Sequence, residues 1–228
     1  MARLVKFFIA FVLLPTVVFA AVELVHLFAA IFSQWKMAVL LLAGAGVYSI
    51  IHYAWYNFSR MYVFGHEMTH ALAAFLCGYR VHQISVRKES GFVKMDQTNA
   101  FVVLAPYFIP FYTVVFAFLY LVIGLFIDLT PYSRYMLFAI GFLTAFHLIQ
   151  TFQTLWEADQ PDLKLAGGKI FSLVTILLVN LILLACVLKI LFPQVISLTQ
   201  AGLHVLRGTL NLWRIIVNYI IEQIINAV

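Results

Sequence analysis

Charged residues are scarce in this chain. Aspartate, glutamate, lysine and arginine make up 10% of its 228 residues, whereas 64% are hydrophobic. A soluble globular domain carries about a quarter of its residues as charged side chains. The composition therefore excludes an ordinary soluble domain and predicts a multi-pass integral protein of a cell or inner membrane.

Cysteine is also rare, since only Cys77 and Cys186 occur. Two distant thiols provide neither a zinc-finger spacing nor a disulfide framework, so we interpret both as small buried hydrophobic residues. The net charge of +5 comes from basic residues dispersed in short loops, without a long run. The sequence therefore predicts no nucleic-acid partner. These basic residues are spread almost evenly over the loops on the two sides of the membrane, so the positive-inside rule does not fix the orientation of the protein in the membrane.

Long apolar runs dominate the chain instead. A membrane-spanning helix needs about 20 mostly apolar residues. Six segments approach or exceed that length, at about residues 4–32, 37–58, 61–77, 101–127, 135–156 and 169–192. We predict an all-α polytopic membrane protein with about six transmembrane helices, a small β-hairpin and a C-terminal amphipathic helix.

The hairpin is predicted within residues 79–100, which break the apolar pattern. Apolar and polar residues alternate from Val81 to Val86, and Glu89, Ser90 and Gly91 form a turn signal. An open strand edge cannot be exposed to lipid. We therefore expect this hairpin at the membrane surface.

The tail of the chain has a different periodicity. Apolar residues recur there at spacings of three and four from Leu203 to Ile224, opposite a polar side. This pattern predicts an amphipathic helix lying in the membrane interface. It divides the chain into a transmembrane domain, 1–193, and a helical tail, 194–228. The same spacing permits an oligomer seam, which leaves a homo-oligomer or a regulatory membrane subunit open as partners.

The strongest signal for chemistry is His66-Glu67-x-x-His70, which lies inside the third apolar segment. Two histidines four residues apart on a helix share one face and can reach one zinc ion. The intervening Glu67 then lies where a general base can activate water. Ionisable groups at membrane depth are costly and usually mark function. The alternative is a pair of membrane histidines satisfied by neighbouring helices.

A catalytic zinc needs a third protein ligand and an open position. The polar break at residues 157–168 offers three carboxylates, Glu157, Asp159 and Asp162, beside a helix-stopping Pro161 and two glycines. The alternative interpretation is a plain hydrophilic loop.

A polar stripe leads along the fifth segment to that loop. Its members are spaced as one helix face and comprise His147, Gln150, Thr151 and Thr154. Such a stripe faces the bundle interior or a wet cavity, so it is either an active-site wall or a set of interhelical hydrogen bonds. In the first case, His147 would stabilise an oxyanion or orient a ligand.

These motifs resemble those of the site-2 protease family of intramembrane zinc metalloproteases. The resemblance covers about residues 61–168 and rests on the His-Glu-x-x-His segment, the hairpin after it and an aspartate motif beside glycines. The family's second motif, Asn and Pro followed by Leu-Asp-Gly, is replaced by Gln160-Pro161-Asp162-Leu163, which suggests a divergent branch. The resemblance implies His66, His70 and Asp162 as zinc ligands, with Asp159 the substitute, and Glu67 as the general base. It also implies a substrate that is itself a membrane-anchored protein.

Alternating spans would place Asp162 beyond the end of the fifth helix, whereas the histidines lie near the middle of the third. We therefore expect residues 159–168 to form a re-entrant loop. The rival function is a non-proteolytic membrane scaffold or transport component with a metal or proton site. Glu23, His26 and His52 would fit a proton path, although interhelical polar pairing explains them equally.

Overall fold

The computed structural model describes residues 2–88, 90–157 and 160–226, without the side chains of Ala2 and Glu157. Within these residues the protein is mostly helical. The helices are α1 (Ala2–Ile31), α2 (Trp35–Ala54), α3 (Ser59–Leu76), α4 (Ala100–Leu104), α5 (Phe111–Gly124), α6 (Ser133–Glu157), α7 (Pro161–Ala166), α8 (Lys169–Leu191) and α9 (Leu198–Asn226). The strands β1 (Val81–Val86) and β2 (Gly91–Met95) form the predicted hairpin.

Three helical stretches of the described residues are long and apolar enough to cross a membrane, namely Arg3–Ala54, Thr130–Trp156 and Lys169–Leu191. A fourth is obtained if α4 with its following turn and α5 count as one broken span. These features are those of a membrane protein. The predicted total of about six spans is not confirmed, since α3 is not among these stretches.

The fourth predicted segment, 101–127, is not one straight helix. Its two parts, Ala100–Tyr107 and Phe111–Gly124, meet at an angle of 81°. Pro110 lies at this break and lacks the backbone N–H that a continuous helix requires. Pro106 lies in the preceding 3-10 turn. The prolines therefore divide a segment that its hydrophobicity alone describes as one span.

The chain divides into two compact units, which we call the terminal unit (residues 1–33 with 173–228) and the central unit (34–172). In the terminal unit, α9 packs on α1, with the rings of Phe11 and Trp213 5.8 Å apart and a Thr209–Thr16 hydroxyl contact of 3.4 Å. This division differs from the predicted boundary at residue 193. A separate tail domain therefore stays a prediction.

The centre of the central unit is the packing of α2 against α6. Gly44 and Gly141 lie where the backbones of these helices meet. A Cβ atom at Gly44 would overlap the carbonyl oxygen of Phe138, and one at Gly141 would overlap that of Leu41. Beside this crossing, Tyr48, Tyr62, Ala145 and Phe146 form a buried cluster. The glycines thus set the close approach of α6, which carries the polar stripe.

The antiparallel hairpin is in register from Val86 opposite Gly91 to Val81 opposite Met95, with an irregularity between Val81 and Gln83. The Arg87 N–H donates to the Ser90 carbonyl at 2.8 Å and closes the predicted turn. Glu89 of the turn signal lies outside the described residues.

We predict that Gly141→Ala lowers the stability of the protein in detergent. The added methyl group has no space against the α2 backbone, and overpacking of this kind typically costs about 1–3 kcal/mol. Thermal unfolding measures the change. The matched control is Gly46→Ala on α2, where nothing lies within 4 Å of an added Cβ. Equal melting temperatures for both variants would contradict the close crossing.

Candidate metal centre

The His-Glu-x-x-His motif lies in the middle of α3, as the sequence predicts. The rings of His66 and His70 are 4.8 Å apart and nearly perpendicular, because residues four apart stack on one helix face. Glu67 and His70 are 6% and 9% exposed. The His66 side chain is 12% exposed. Both candidate ligands of α3 and the candidate base are therefore largely buried.

Asp162 meets the two imidazoles. Its Oδ2 lies 3.6 Å from Nε2 of His66 and 3.5 Å from Nε2 of His70. All three donor atoms lie within 4.8 Å of one another, and no other cluster of His, Cys, Asp or Glu in the described ranges has this property. The structure thus brings together the three residues proposed as ligands.

Asp162 reaches this position on a short helix, α7, rather than on an irregular loop. Pro161 occupies its first turn, where a missing N–H costs nothing. Gly167 and Gly168, with φ of 139° and 113°, end it in conformations that favour glycine. Ser172 Oγ donates to the Leu163 carbonyl at 3.0 Å and anchors the segment. The expected re-entrant placement of residues 159–168 stays a prediction.

The donor set suits zinc. Two imidazole nitrogens and one carboxylate oxygen match the ligands of catalytic zinc sites and leave a fourth position open. Tetrahedral zinc with bonds of about 2.1 Å separates its ligand atoms by about 3.4 Å. The two separations of 3.5 and 3.6 Å agree with this spacing. His66, His70 and Asp162 therefore fit a zinc ion.

Helix α4 provides the hydrogen-bond partner of one candidate ligand, His70. The Val102 carbonyl can only accept, so His70 Nδ1–H donates to it at 2.8 Å and leaves the Nε2 lone pair for a metal. Asn99 fixes the start of α4, because its side chain accepts from the Val102 N–H at 2.9 Å. The helix cap thus also positions the partner of His70.

A second hydrogen bond to a candidate ligand comes from Tyr107, which lies in the turn after α4. This fully buried residue donates from its hydroxyl to Asp162 Oδ2 at 2.9 Å. Its ring lies 5.0 Å from that of His66 and packs against it edge-on. Among the described residues, the buried Nδ1 atom of His66 has no hydrogen-bond partner. Tyr107 therefore orients one ligand by a hydrogen bond and the other by packing.

The electrostatics favour an ionised Asp162. Burial alone would raise the pKa of its carboxyl group. The hydrogen bond from Tyr107 and the nearby imidazoles of His66 and His70 outweigh that effect and hold the pKa below its usual range. The carboxylate is thus in the form that a metal ligand requires.

Glu67 lies against the start of β2. A Cβ atom at Gly91 would come 2.5 Å from Glu67 Cγ and 2.6 Å from its Oε1. A cavity of about 330 Å³ is lined by the histidines, Asp162 and Glu67 on one side and by Phe92, Val93 and other hairpin residues on the other. The hairpin therefore covers the site, and a side chain in place of Gly91 would displace that of the candidate base.

The other candidate residues are not part of the metal cluster that the described residues form. Asp159 and the side chain of Glu157 lie outside the described residues, so the structure does not compare them with Asp162. His147 is buried in a small pocket with Tyr62, Thr69 and His66, and is not part of the metal cluster. The structure does not place His147 at an oxyanion position.

The polar stripe on α6 combines both of its predicted roles. Gln150 Nε2 donates to Asn57 Oδ1 at 2.9 Å, and Thr151 lies 3.4 Å from the Tyr62 hydroxyl, as interhelical pairing requires. Gln150 and Thr154 also line a second cavity beside Glu67. The stripe is thus part of the site wall as well as of the packing.

The residues of the possible proton path have local partners. In the terminal unit, Glu23 lies 3.3 Å from Nδ1 of His204 and 3.4 Å from Nδ1 of His26. In the central unit, His52 Nδ1 lies 3.1 Å from the Tyr48 hydroxyl. These contacts are those expected of polar pairing.

Sequence reasoning missed Tyr107, the Val102 carbonyl and Gly91. Pro106 and Pro110 mark Tyr107 as part of a helix break, but no spacing in the sequence links it to Asp162. A glycine within a strand pattern suggests the close approach of another group, and Gly91 carries that signal. The backbone carbonyl of an apolar residue such as Val102 carries no such signal in the sequence.

Comparison with protein families adds an independent observation. Residues 24–156, more than half of the chain, match the family described as Peptidase M50B-like, which is the site-2 protease family. The chain belongs to this family. Comparisons with curated proteins and with solved structures found no match. The matched segment contains the His-Glu-x-x-His helix and ends before Asp162.

We predict that Tyr107→Phe weakens zinc binding by about 10- to 100-fold, the usual effect of removing a hydrogen-bond partner of a metal ligand. Competition with a zinc chelator measures the affinity. Tyr120→Phe is the matched control, because its hydroxyl donates to the Leu129 carbonyl at 3.1 Å away from the site. Unchanged affinity in Tyr107→Phe would show that this hydrogen bond does not support the metal.

We also predict that Asp162→Ala lowers zinc occupancy more than Tyr107→Phe does, because it removes a direct ligand rather than its support. Metal analysis of the purified protein measures occupancy. Asp159→Ala serves as the comparison and should retain zinc. Zinc loss that follows Asp159 instead would transfer the ligand role to that residue.

Proposed function

We propose that this member of the site-2 protease family is an intramembrane zinc metalloprotease, which hydrolyses peptide bonds in membrane-anchored proteins. One observation carries the proposal. Two histidines and an aspartate converge at spacings suited to zinc, and a buried glutamate lies beside them at a cavity. A purely structural pair of membrane histidines would not require this set of four residues.

Glu67 is the proposed general base, since it lies in the motif without being part of the ligand cluster. It accepts a proton from the attacking water and returns it to the nitrogen of the leaving amine. His66, His70 and Asp162 would hold the zinc ion, which supplies Lewis acidity to the water and the scissile carbonyl. His70 keeps its orientation through the Val102 carbonyl, so the residues around the reaction are fixed before substrate binds.

The hairpin is the proposed substrate guide. A peptide bond within a helix is shielded by its own hydrogen bonds, so the substrate must be extended locally. β2 pairs with β1 on one side in a sheet of two strands. Its residues Phe92 and Val93 line the cavity at the candidate ligands. An extended substrate segment can therefore add to the hairpin by strand pairing beside the metal centre.

The membrane arrangement follows from the helices. The stretch Arg3–Ala54 has 52 residues, enough for two crossings of about 20 residues each. With α3, the broken α4–α5 pair, α6 and α8, this gives the proposed total of six crossings. The proposed partners are the bilayer, a membrane-protein substrate and, where oligomers form, a second copy or a regulatory membrane subunit.

Glu67→Gln tests the function. We predict that it abolishes cleavage of a single-span reporter protein while zinc content and melting temperature stay at wild-type values, because the amide keeps the shape but cannot accept the proton. Mass spectrometry of the reporter and metal analysis give the two readouts. Glu222→Gln, on the exposed side of α9, is the control and should cleave normally.

Cleavage at the wild-type rate by Glu67→Gln would refute the assigned base. Zinc bound without any cleavage by the wild-type protein would instead favour the alternative, a non-proteolytic scaffold or transport component with a metal site.

A further inference from the structure

A second cavity lies beside Glu67, and neither the metal centre nor the hairpin accounts for its chemistry. Its volume is about 550 Å³. Four of the twelve lining residues carry side-chain amides, and we call it the amide cavity after them: Asn57, Gln150, Gln153 and Gln160. His66 and Glu67 of the α3 motif line it too, and the remaining lining residues are uncharged. The site thus opens into a polar but almost uncharged space.

The amides come from separate elements and are held in place. Gln150, 3% exposed on α6, donates to Asn57 in the link between α2 and α3 at 2.9 Å. Gln160, at the start of α7, donates to the Thr154 carbonyl at 3.0 Å. Because their side chains are already bonded, they lose little freedom when a ligand binds. Asn57 is exposed and uses only its Oδ1 in the bond to Gln150, which leaves its NH₂ group for a ligand.

The chemistry of an amide side chain matches that of a peptide bond. Each side-chain amide offers two N–H donors and a carbonyl acceptor, and therefore complements both the N–H and the C=O group of a peptide main chain. An unwound transmembrane segment has lost its internal hydrogen bonds, and its N–H and C=O groups are costly in apolar surroundings. A charged lining would suit ions or charged side chains, whereas neutral amides avoid the burial of unpaired charge.

We propose that the amide cavity binds the unwound main chain of the substrate next to the scissile bond, with Asn57, held in place by Gln150, replacing hydrogen bonds of the substrate helix. The inference rests on the proposed protease function and specifies its substrate class. The segment bound there is extended and uncharged. A lysine, arginine or acidic residue in this segment has no countercharge in the cavity apart from the groups of the metal centre.

Hydroxamates can test this without a known substrate, because the hydroxamate group anchors a peptide at zinc. The probes are acetohydroxamate and two Ala-Leu-Ala peptides, one with a C-terminal hydroxamate and one with an N-terminal succinyl hydroxamate. Together they extend from the metal in both directions. A version of each peptide with trans-alkene isosteres in place of the main-chain amides lacks both the carbonyl acceptors and the N–H donors. Affinities for the zinc-loaded protein in detergent are measured by calorimetry.

The expected result is that at least one peptide binds more tightly than acetohydroxamate, and that alkene replacement weakens it by about 3- to 10-fold per hydrogen bond lost. Asn57→Leu removes the donor and Gln150→Met removes its support, so both variants should weaken binding of the amide peptide and make alkene replacement nearly neutral, with acetohydroxamate unaffected. Asn211→Leu on the exposed side of α9 is the matched control and should change nothing. Asn57 is exposed, so its variant keeps the test valid if the buried Gln150 variant does not fold.

The inference is overturned if alkene replacement has the same effect in the wild type and in Asn57→Leu, or if neither peptide binds better than acetohydroxamate. A different pattern identifies failure of the proposed function. In that case acetohydroxamate itself does not bind, or the protein holds no zinc, and the amide cavity loses its role with the metal centre.

Discussion

The structure of the central unit depends on one constraint, which is that ionisable groups buried in an apolar protein need fixed polar partners. α3 carries three such groups within five residues, and α3 alone cannot satisfy them. The broken segment after the hairpin supplies a partner for one of them, since the Val102 carbonyl accepts from His70, and it also supplies Tyr107, which donates to Asp162 opposite α3. The break therefore has a function, because a straight helix across residues 100–124 would direct these groups elsewhere.

The hairpin adds a steric constraint on the opposite side of the site. Gly91 passes so close to Glu67 that a side chain would collide with the carboxyl group. The turn from Arg87 to Ser90 holds this position through one backbone hydrogen bond. The candidate base is thus enclosed between a strand and the helix that carries it. The cavities at the candidate metal ligands and at the amides are both lined by Glu67 and Gly91, so an extended peptide running from one to the other would pass Glu67.

The sequence was informative where function depends on short-range spacing. His66 and His70 are one turn apart in any helix, and alternating residues define the hairpin from Val81 onwards, so both features could be predicted. Asp162 was predicted as a ligand from its loop and from the family resemblance, and the structure places it at the histidines. Tyr107 and Asn57 could not be found, because their roles depend on contacts between residues 55 and 93 positions apart. The number of spans could not be predicted from hydrophobicity alone, because prolines divide one apolar run.

The local geometry at Asp162 explains how a divergent second motif can still supply a candidate ligand. A carboxylate at this position needs a backbone that turns into the site and then leaves it. Pro161 begins the short helix, its first turn presents Asp162, and Gly167 and Gly168 reverse the chain into α8. None of these steps requires the family's Leu-Asp-Gly order. The ligand position depends on a proline before the aspartate, glycines after it and the buried Tyr107 opposite, and this chain has all three.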